Sequence, residues 1–212
     1  MTTSLVYKSC LLYELAMRLL YGRHYPARYY AVAALVPEGA SVLDLGCGPA
    51  TLYHGYLRHK GVRYTGLDVN EKFVRRLARA GARGQVWDLR SDRPLPPADH
   101  VIMQASLYHF LPDAGPVVGR MLQAAGEQVI IAEPVRNLST SRLPLVARLA
   151  RRHADPGSGS PASRFTEASL DAFFARYAER VKRSFHIPGG REKVYVLAGG
   201  RGQRVGGRRP AG

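Results

Sequence analysis

Long apolar runs, cysteines and lysines are what this chain has least of. No stretch reaches the roughly 18 consecutive apolar residues that a membrane-crossing helix needs, so a transmembrane span is excluded. The start of the chain lacks the form of a secretory signal, because Glu14 and Arg18 interrupt its apolar stretch and no small-residue cleavage site follows. The two cysteines, Cys10 and Cys47, form no CxxC pair and no Cys/His cluster. That excludes a disulfide scaffold and a zinc site built on such a cluster, leaves no metal to be expected, and fits a reducing, cytoplasmic setting. Of 31 basic residues only Lys8, Lys60, Lys72, Lys182 and Lys193 are lysines.

What is present is an ordinary globular composition. The 212 residues are 46% hydrophobic and 22% charged, which suits one domain with a single core and excludes a disordered or fibrous chain. The net charge is +15. Alone it suggests an anionic partner, nucleic acid included. An Arg-, Ala- and Gly-rich composition fits GC-rich coding equally well. Arg201, Arg204, Arg208 and Arg209 also sit in a tail without periodicity, 199–212, that reads as disordered.

Apolar periodicity gives the order of elements. Leu11, Leu12, Leu15 and Leu19 recur at helical spacing, and residues 1–35 read as helix with a tyrosine-rich link (Tyr21, Tyr25, Tyr29, Tyr30). Strands are predicted over 41–45, 63–67, 85–87, 100–104 and 128–132, and two more over 181–187 and 193–198 flank Pro188-Gly189-Gly190, a hairpin signal. Helices are predicted from the glycines at 46 and 48 to about residue 60, after Asn70 as cap to a stop at Gly81, over 113–125, over 142–152 and after Thr166 as cap. Alternating strands and helices give an α/β fold with a mainly parallel sheet, closed by an antiparallel edge hairpin. In such sheets ligands sit beyond the carboxyl ends of the strands.

The chemistry-bearing residues lie at those ends. Val42-Leu43-Asp44-Leu45-Gly46-Cys47-Gly48 is a strand running into a glycine-rich turn where a ligand can approach the backbone. Asp44 is placed to receive an ammonium group. Asp68, twenty residues after Gly48 at the next strand end, is placed to bind two ribose hydroxyls. Asp88 ends the third strand, where an adenine amino group would lie. The three describe a pocket for an adenosine with an ammonium-bearing tail. A nicotinamide dinucleotide fits less well, because Thr51 occupies the third glycine position of its fingerprint and Asp44 would repel phosphate.

With these motifs in order, the chain resembles the class I S-adenosylmethionine-dependent methyltransferases over about residues 30–197. The resemblance implies a Rossmann-like, doubly wound, seven-stranded sheet over 31–198, with a helical N-terminal cap over 1–30 and a substrate lid in 136–164. It implies S-adenosyl-L-methionine as cofactor, held by Asp44, Gly46, Gly48, Asp68, Val69, Asp88, Leu89 and Gln104. Ala98–Phe110 is similar to the family's fourth-strand motif, which faces cofactor and substrate, and makes His109 the candidate base. The plainer reading of His109 is a helix-start residue bonded to backbone. The Asn/Asp-Pro-Pro-aromatic motif of base amino-methyltransferases is replaced here by Gln104-Ala105-Ser106-Leu107, and no Pro-Cys nucleophile, paired glutamates or magnesium cluster is found. The expected acceptor is therefore a small molecule or a lipid-like one, methylated on O, N or C. RNA or protein methylation using the basic surface ranks below it, as does a non-catalytic binding module. Nothing in the pattern sets an oligomeric state.

Overall fold

The structure is a computed structural model and describes residue 18, residues 21–135 and residues 164–200. The helix expected over 142–152, the 136–163 part of the expected lid, the tail from 201 and most of the first 20 residues lie outside the described residues.

Seven strands form one sheet in the order β3-β2-β1-β4-β5-β7-β6. They are β1 (Ser41–Leu45), β2 (Arg63–Asp68), β3 (Arg83–Val86), β4 (Ala98–Gln104), β5 (Ala125–Pro134), β6 (Val181–His186) and β7 (Glu192–Ala198). The first five run parallel, and β7 pairs antiparallel with both β5 and β6. The expected closing hairpin is thus present, with β7 on its inner side and β6 at the edge. Among the described residues the α-helices are α1 (Tyr25–Ala33), α2 (Glu71–Arg79), α3 (Gly115–Ala124) and α4 (Glu167–Ala175).

The central strands are apolar throughout because both sheet faces are covered. Side chains alternate between two clusters. Leu43, Val101, Met103, Val129 and Ile131 face α3 and α4. Val42, Ile102, Ile130 and Ala132 face α1 and the helical stretch after β1. Caps behave as their chemistry predicts. The Asn70 side chain accepts from the Lys72 N–H, Gly81 stands at φ +82° past the end of α2, and Thr166 forms a capping box with Ser169.

The sequence reading needs correction in several places: β4 starts at Ala98 instead of 100, and the helix expected through 35 is a 3-10 turn at Gly22–His24 followed by α1. The segment after the glycine turn is no regular helix: it passes through a π-turn at Tyr53–Leu57 and a 3-10 turn at Arg58–Lys60. Strand β3 starts and ends earlier than 85–87, because its ladder to β2 runs from Thr65↔Arg83 to Asp68↔Val86. Strand β5 extends past 128–132 at both ends, and its pairing with β7 reaches Pro134↔Glu192.

Gly66 fixes how closely these layers approach. A Cβ there would stand 2.6 Å from Leu77 Cδ2 and 2.8 Å from Cys47 Sγ. Gly66→Ala is therefore expected to cost about 1–3 kcal/mol by overpacking and to lower Tm by several degrees, measured by thermal circular dichroism. An unchanged Tm would contradict this packing.

Candidate functional site

Strand order reverses between β1 and β4, and a cleft opens beyond their carboxyl ends. It is lined by Asp44, Gly46 and Gly48 from the first turn, Gln104 and Ser106 from the second, and Arg28 and Thr51 from the flanking helical segments.

Asp44 is 4% exposed. The Tyr64 hydroxyl donates to its Oδ2 at 2.5 Å from the neighbouring strand, and the Tyr64 ring stacks on Tyr53 at 4.6 Å. Burial pushes the Asp44 carboxyl up to about 7, and the nearby Asp68 charge adds to the rise while the Tyr64 hydrogen bond opposes it. A carboxyl so placed ionises readily once a cation sits beside it.

The turn after β1 is tight. Gly46 lies at φ +66°, and a Cβ on it would meet Ser106 Oγ at 2.8 Å. The Gly46 and Cys47 N–H groups donate to the Leu67 carbonyl at 2.8 and 3.1 Å. Asp68 accepts the Gly48 N–H at 2.8 Å and the Asn70 N–H at 2.7 Å. Burial still raises its pKa against those two bonds.

Arg28 supplies the opposite charge. It is 2% exposed, pairs with Glu192 at 2.8 Å and lies over the rings of Tyr21 and Tyr29. Its carbonyl accepts from Gln104 Nε2 at 2.9 Å, which fixes that amide at the mouth of β4. The cleft thus has a buried acid and a buried guanidinium in its lining, the complement of an amino-acid end.

The sequence-predicted residues are not all brought together. Asp44, Gly46, Gly48 and Gln104 line the cleft. Asp68 stands behind the glycine turn as its anchor. Asp88 is exposed and accepts the Arg90 N–H at 2.8 Å within its own loop. Leu89 is buried in the core, and Val69 is 73% exposed. Arg120 of α3 donates to the carbonyls of Leu89 and Ser91, holding this loop in place.

His109 lies outside the cleft lining, on the 3-10 turn Leu107–Phe110, with its ring 3.9 Å from that of Tyr108. Burial, helped by Arg164 and Arg90, pushes it down to about 4, so the imidazole is neutral at physiological pH. Arg90 donates to the His109 carbonyl at 3.1 Å, and Arg164 stacks on Tyr108 at 3.5 Å. Among the described residues no group of His, Cys, Asp and Glu could hold a metal ion, and no helix is long and apolar enough to cross a membrane.

Arg28, Tyr64, Thr51 and Ser106 are site residues that the motifs do not announce. One signal was readable: Arg28 falls on the apolar stripe Tyr25, Tyr29 and Val32 of α1, where an arginine needs a buried partner.

Comparison with known proteins agrees with this geometry. Residues 27–153 match the family described as methionine biosynthesis protein MetW. Trans-aconitate 2-methyltransferase of Mycobacterium tuberculosis is 31% identical over 140 residues, 63% of this chain and 52% of that protein. The chain thus spans about half the length of such curated relatives. Two solved structures share the fold. One is a complex of the Haloferax volcanii Trm112 methyltransferase activator with a methyltransferase (TM-score 0.66, 16% identity, 93% of this chain and 99% of that one). The other is magnesium protoporphyrin IX methyltransferase from Synechocystis with bound S-adenosylhomocysteine (TM-score 0.61, 17% identity, 87% and 93%). With its family match, its sheet order and its glycine turn in agreement, the chain belongs to the MetW family, within the class I S-adenosylmethionine-dependent methyltransferases.

Proposed function

We propose that this protein is an S-adenosyl-L-methionine-dependent methyltransferase acting on a small-molecule acceptor. The observation that carries the reading is the buried, ionisable Asp44 at the strand-order reversal, in a cleft that Arg28 also lines. The residues fit the cofactor. Asp44 receives the ammonium and Arg28 faces the carboxylate of the amino-acid end. Thr51 Oγ1, buried and without a hydrogen-bond partner among the described residues, is available beside them. Asp68 offers carboxylate oxygens toward the ribose, Val69 covers it from the surface, and Asp88 with Leu89 closes the adenine side. When bound, the cofactor supplies a methyl group already activated on a sulfonium, so the protein mainly has to position the acceptor and exclude water.

His109 is the candidate group nearest a base. An imidazole lowered to about 4 accepts a proton weakly. It suits an acceptor that is already ionised. Arg90 and Arg164 flank it, and neither forms an ion pair among the described residues. A carboxylate acceptor meets both conditions, and trans-aconitate, named for the curated relatives, is a carboxylate.

Three outcomes test this reading. Calorimetry with S-adenosylhomocysteine is expected to show binding by the wild type and a loss of roughly tenfold to a hundredfold in Asp68→Ala, the weight of a charge-assisted hydrogen bond. Equal affinities would refute the cofactor site. Because Asp44 must lose its proton to take the ammonium, affinity should climb by about tenfold per pH unit up to about 7 and then level. Asp44→Asn should bind weakly at every pH without that slope. Incubation with S-adenosylmethionine and short polycarboxylates, trans-aconitate among them, should release S-adenosylhomocysteine. In Arg164→Gln, kcat/KM should fall about tenfold, and an unaltered value would remove the carboxylate reading.

A further inference from the structure

The end of β5 holds a carboxyl group that the proposed chemistry does not use. Glu133 is completely buried, directly after the apolar run Val129–Ala132. Its Oε1 accepts two backbone N–H groups, those of Ser106 at 2.7 Å and Leu107 at 2.6 Å. Its Oε2 is buried with no hydrogen-bond partner among the described residues.

Those N–H groups open the 3-10 turn that carries Tyr108 and His109, and no side chain of the turn caps it. The acceptor comes instead from the neighbouring strand. The backbone needs such a hold. Ala105, just before, lies at φ +52°, a left-handed conformation that a residue with a Cβ resists. Ser106, just after, is pressed against the Gly46 turn so closely that no Cβ fits between them. Without the Glu133 acceptor, two N–H groups lose their partner and Ala105 is free to relax. Ser106 and Gln104 would then move away from the cleft they line.

We propose that Glu133 is a positioning residue: through one carbonyl-type oxygen it clamps the turn after β4 against the glycine turn after β1, and so sets the wall of the cofactor cleft. The proposal rests on reading that cleft as the S-adenosylmethionine site.

The charges around Glu133 make the idea specific. Burial pushes its carboxyl up to about 8, Glu192 on β7 pushes in the same direction, and Arg164 ahead of α4 and the two N–H bonds oppose. Arg28 of α1 is paired with Glu192, and Lys193, opposite Glu133 in the ladder, holds Asp171 of α4. A neutral acid keeps Oε1 as an acceptor for both N–H groups, so an amide can replace it while an alkyl group cannot.

The experiment compares wild type, E133Q and E133A as full chains, with S-adenosylhomocysteine as the calorimetric probe. E133Q is expected to bind within about twofold of wild type and E133A at least about tenfold more weakly. Should E133A not fold, E133D takes its place. One methylene shorter, it withdraws the acceptor from both N–H groups, and the same loss is expected. A folded E133A or E133D with wild-type affinity would overturn the clamp, and so would an E133Q as impaired as E133A. A wild type that fails to bind would refute the cofactor reading instead. The clamp would then be judged by amide exchange at Ser106 and Leu107, which should quicken in E133A and not in E133Q. Melting temperature adds a second readout. A carboxyl whose pKa is raised by folding contributes stability below its ordinary value near 4.5 that is lost as pH rises through about 8. Wild type should therefore lose Tm relative to E133Q between pH 5 and 9, and a constant difference would overturn the assignment of a neutral acid.

Discussion

A carboxyl group buried at the end of the central strand is the constraint on which the site depends. Asp44 stands where an apolar residue would be more stable, since an acid in this position must either hold its proton or find a cation. Its surroundings are arranged around that cost. Tyr64 reaches across from β2 to donate its hydroxyl, and Tyr53 stacks on Tyr64 to hold the ring. Gly66, opposite Asp44 in the ladder, leaves the room that Leu77 and Cys47 fill. The same residues that tolerate the acid also seat the helical layer. Binding chemistry and packing are therefore hard to separate on this side of the sheet.

The same logic reconciles the overall charge with the site. The chain carries +15, yet its buried charged side chains run the other way. Among the described residues Asp44, Asp68, Glu133 and Glu192 are buried acids, and Arg28 is the buried arginine. Asp44, Asp68 and Glu133 lie toward the carboxyl ends of parallel strands, and Glu192 opens the antiparallel β7 beside the end of β5. The cleft itself is lined by one of these acids, Asp44, and by Arg28, so it offers one site for each sign of charge. The arginines Arg90 and Arg164 lie farther out, around His109, where an anion would be met. On the proposed function, basic side chains gathered around His109 suit a small anionic acceptor better than a long polyanion, which would need the positive charge spread over one continuous face.

Much of this was legible in the sequence, and the rest was hidden for identifiable reasons. Strands β1, β4 and β5 announce themselves as apolar runs because both of their faces are covered. The glycine turn, the Asn70 and Thr166 caps and the stop at Gly81 are local chemistry and read directly. Tyr64 was not readable as the partner of Asp44, because the pairing depends on the register between strands (Asp44 opposite Gly66). The role of Glu133 was not readable either, since nothing local shows that its carboxyl caps a turn 26 residues earlier in the chain. The segment 53–60 looks helical by composition, and its π and 3-10 turns follow from packing beneath Tyr29 and Tyr64. Asp88 lies in the loop after β3, which ends at Val86, and its carboxyl accepts the Arg90 N–H there, a contact that no sequence pattern announces.

The glycine turn itself argues which ligand it serves. In a dinucleotide site such a turn presents free N–H groups to a pyrophosphate. Here those groups are already spoken for. Gly46 and Cys47 donate to the Leu67 carbonyl, Gly48 to the Asp68 carboxylate and Ala50 to the Cys47 carbonyl. A phosphate arriving at the turn would find few donors and the Asp44 carboxyl beside it. A ligand with an ammonium group finds an acceptor there, and an uncharged nucleoside meets a backbone with no side chain in its way. The turn keeps the close approach that glycine permits and gives up the anion-binding amides. What distinguishes it from a phosphate loop is where its hydrogen bonds go, more than the spacing of its glycines.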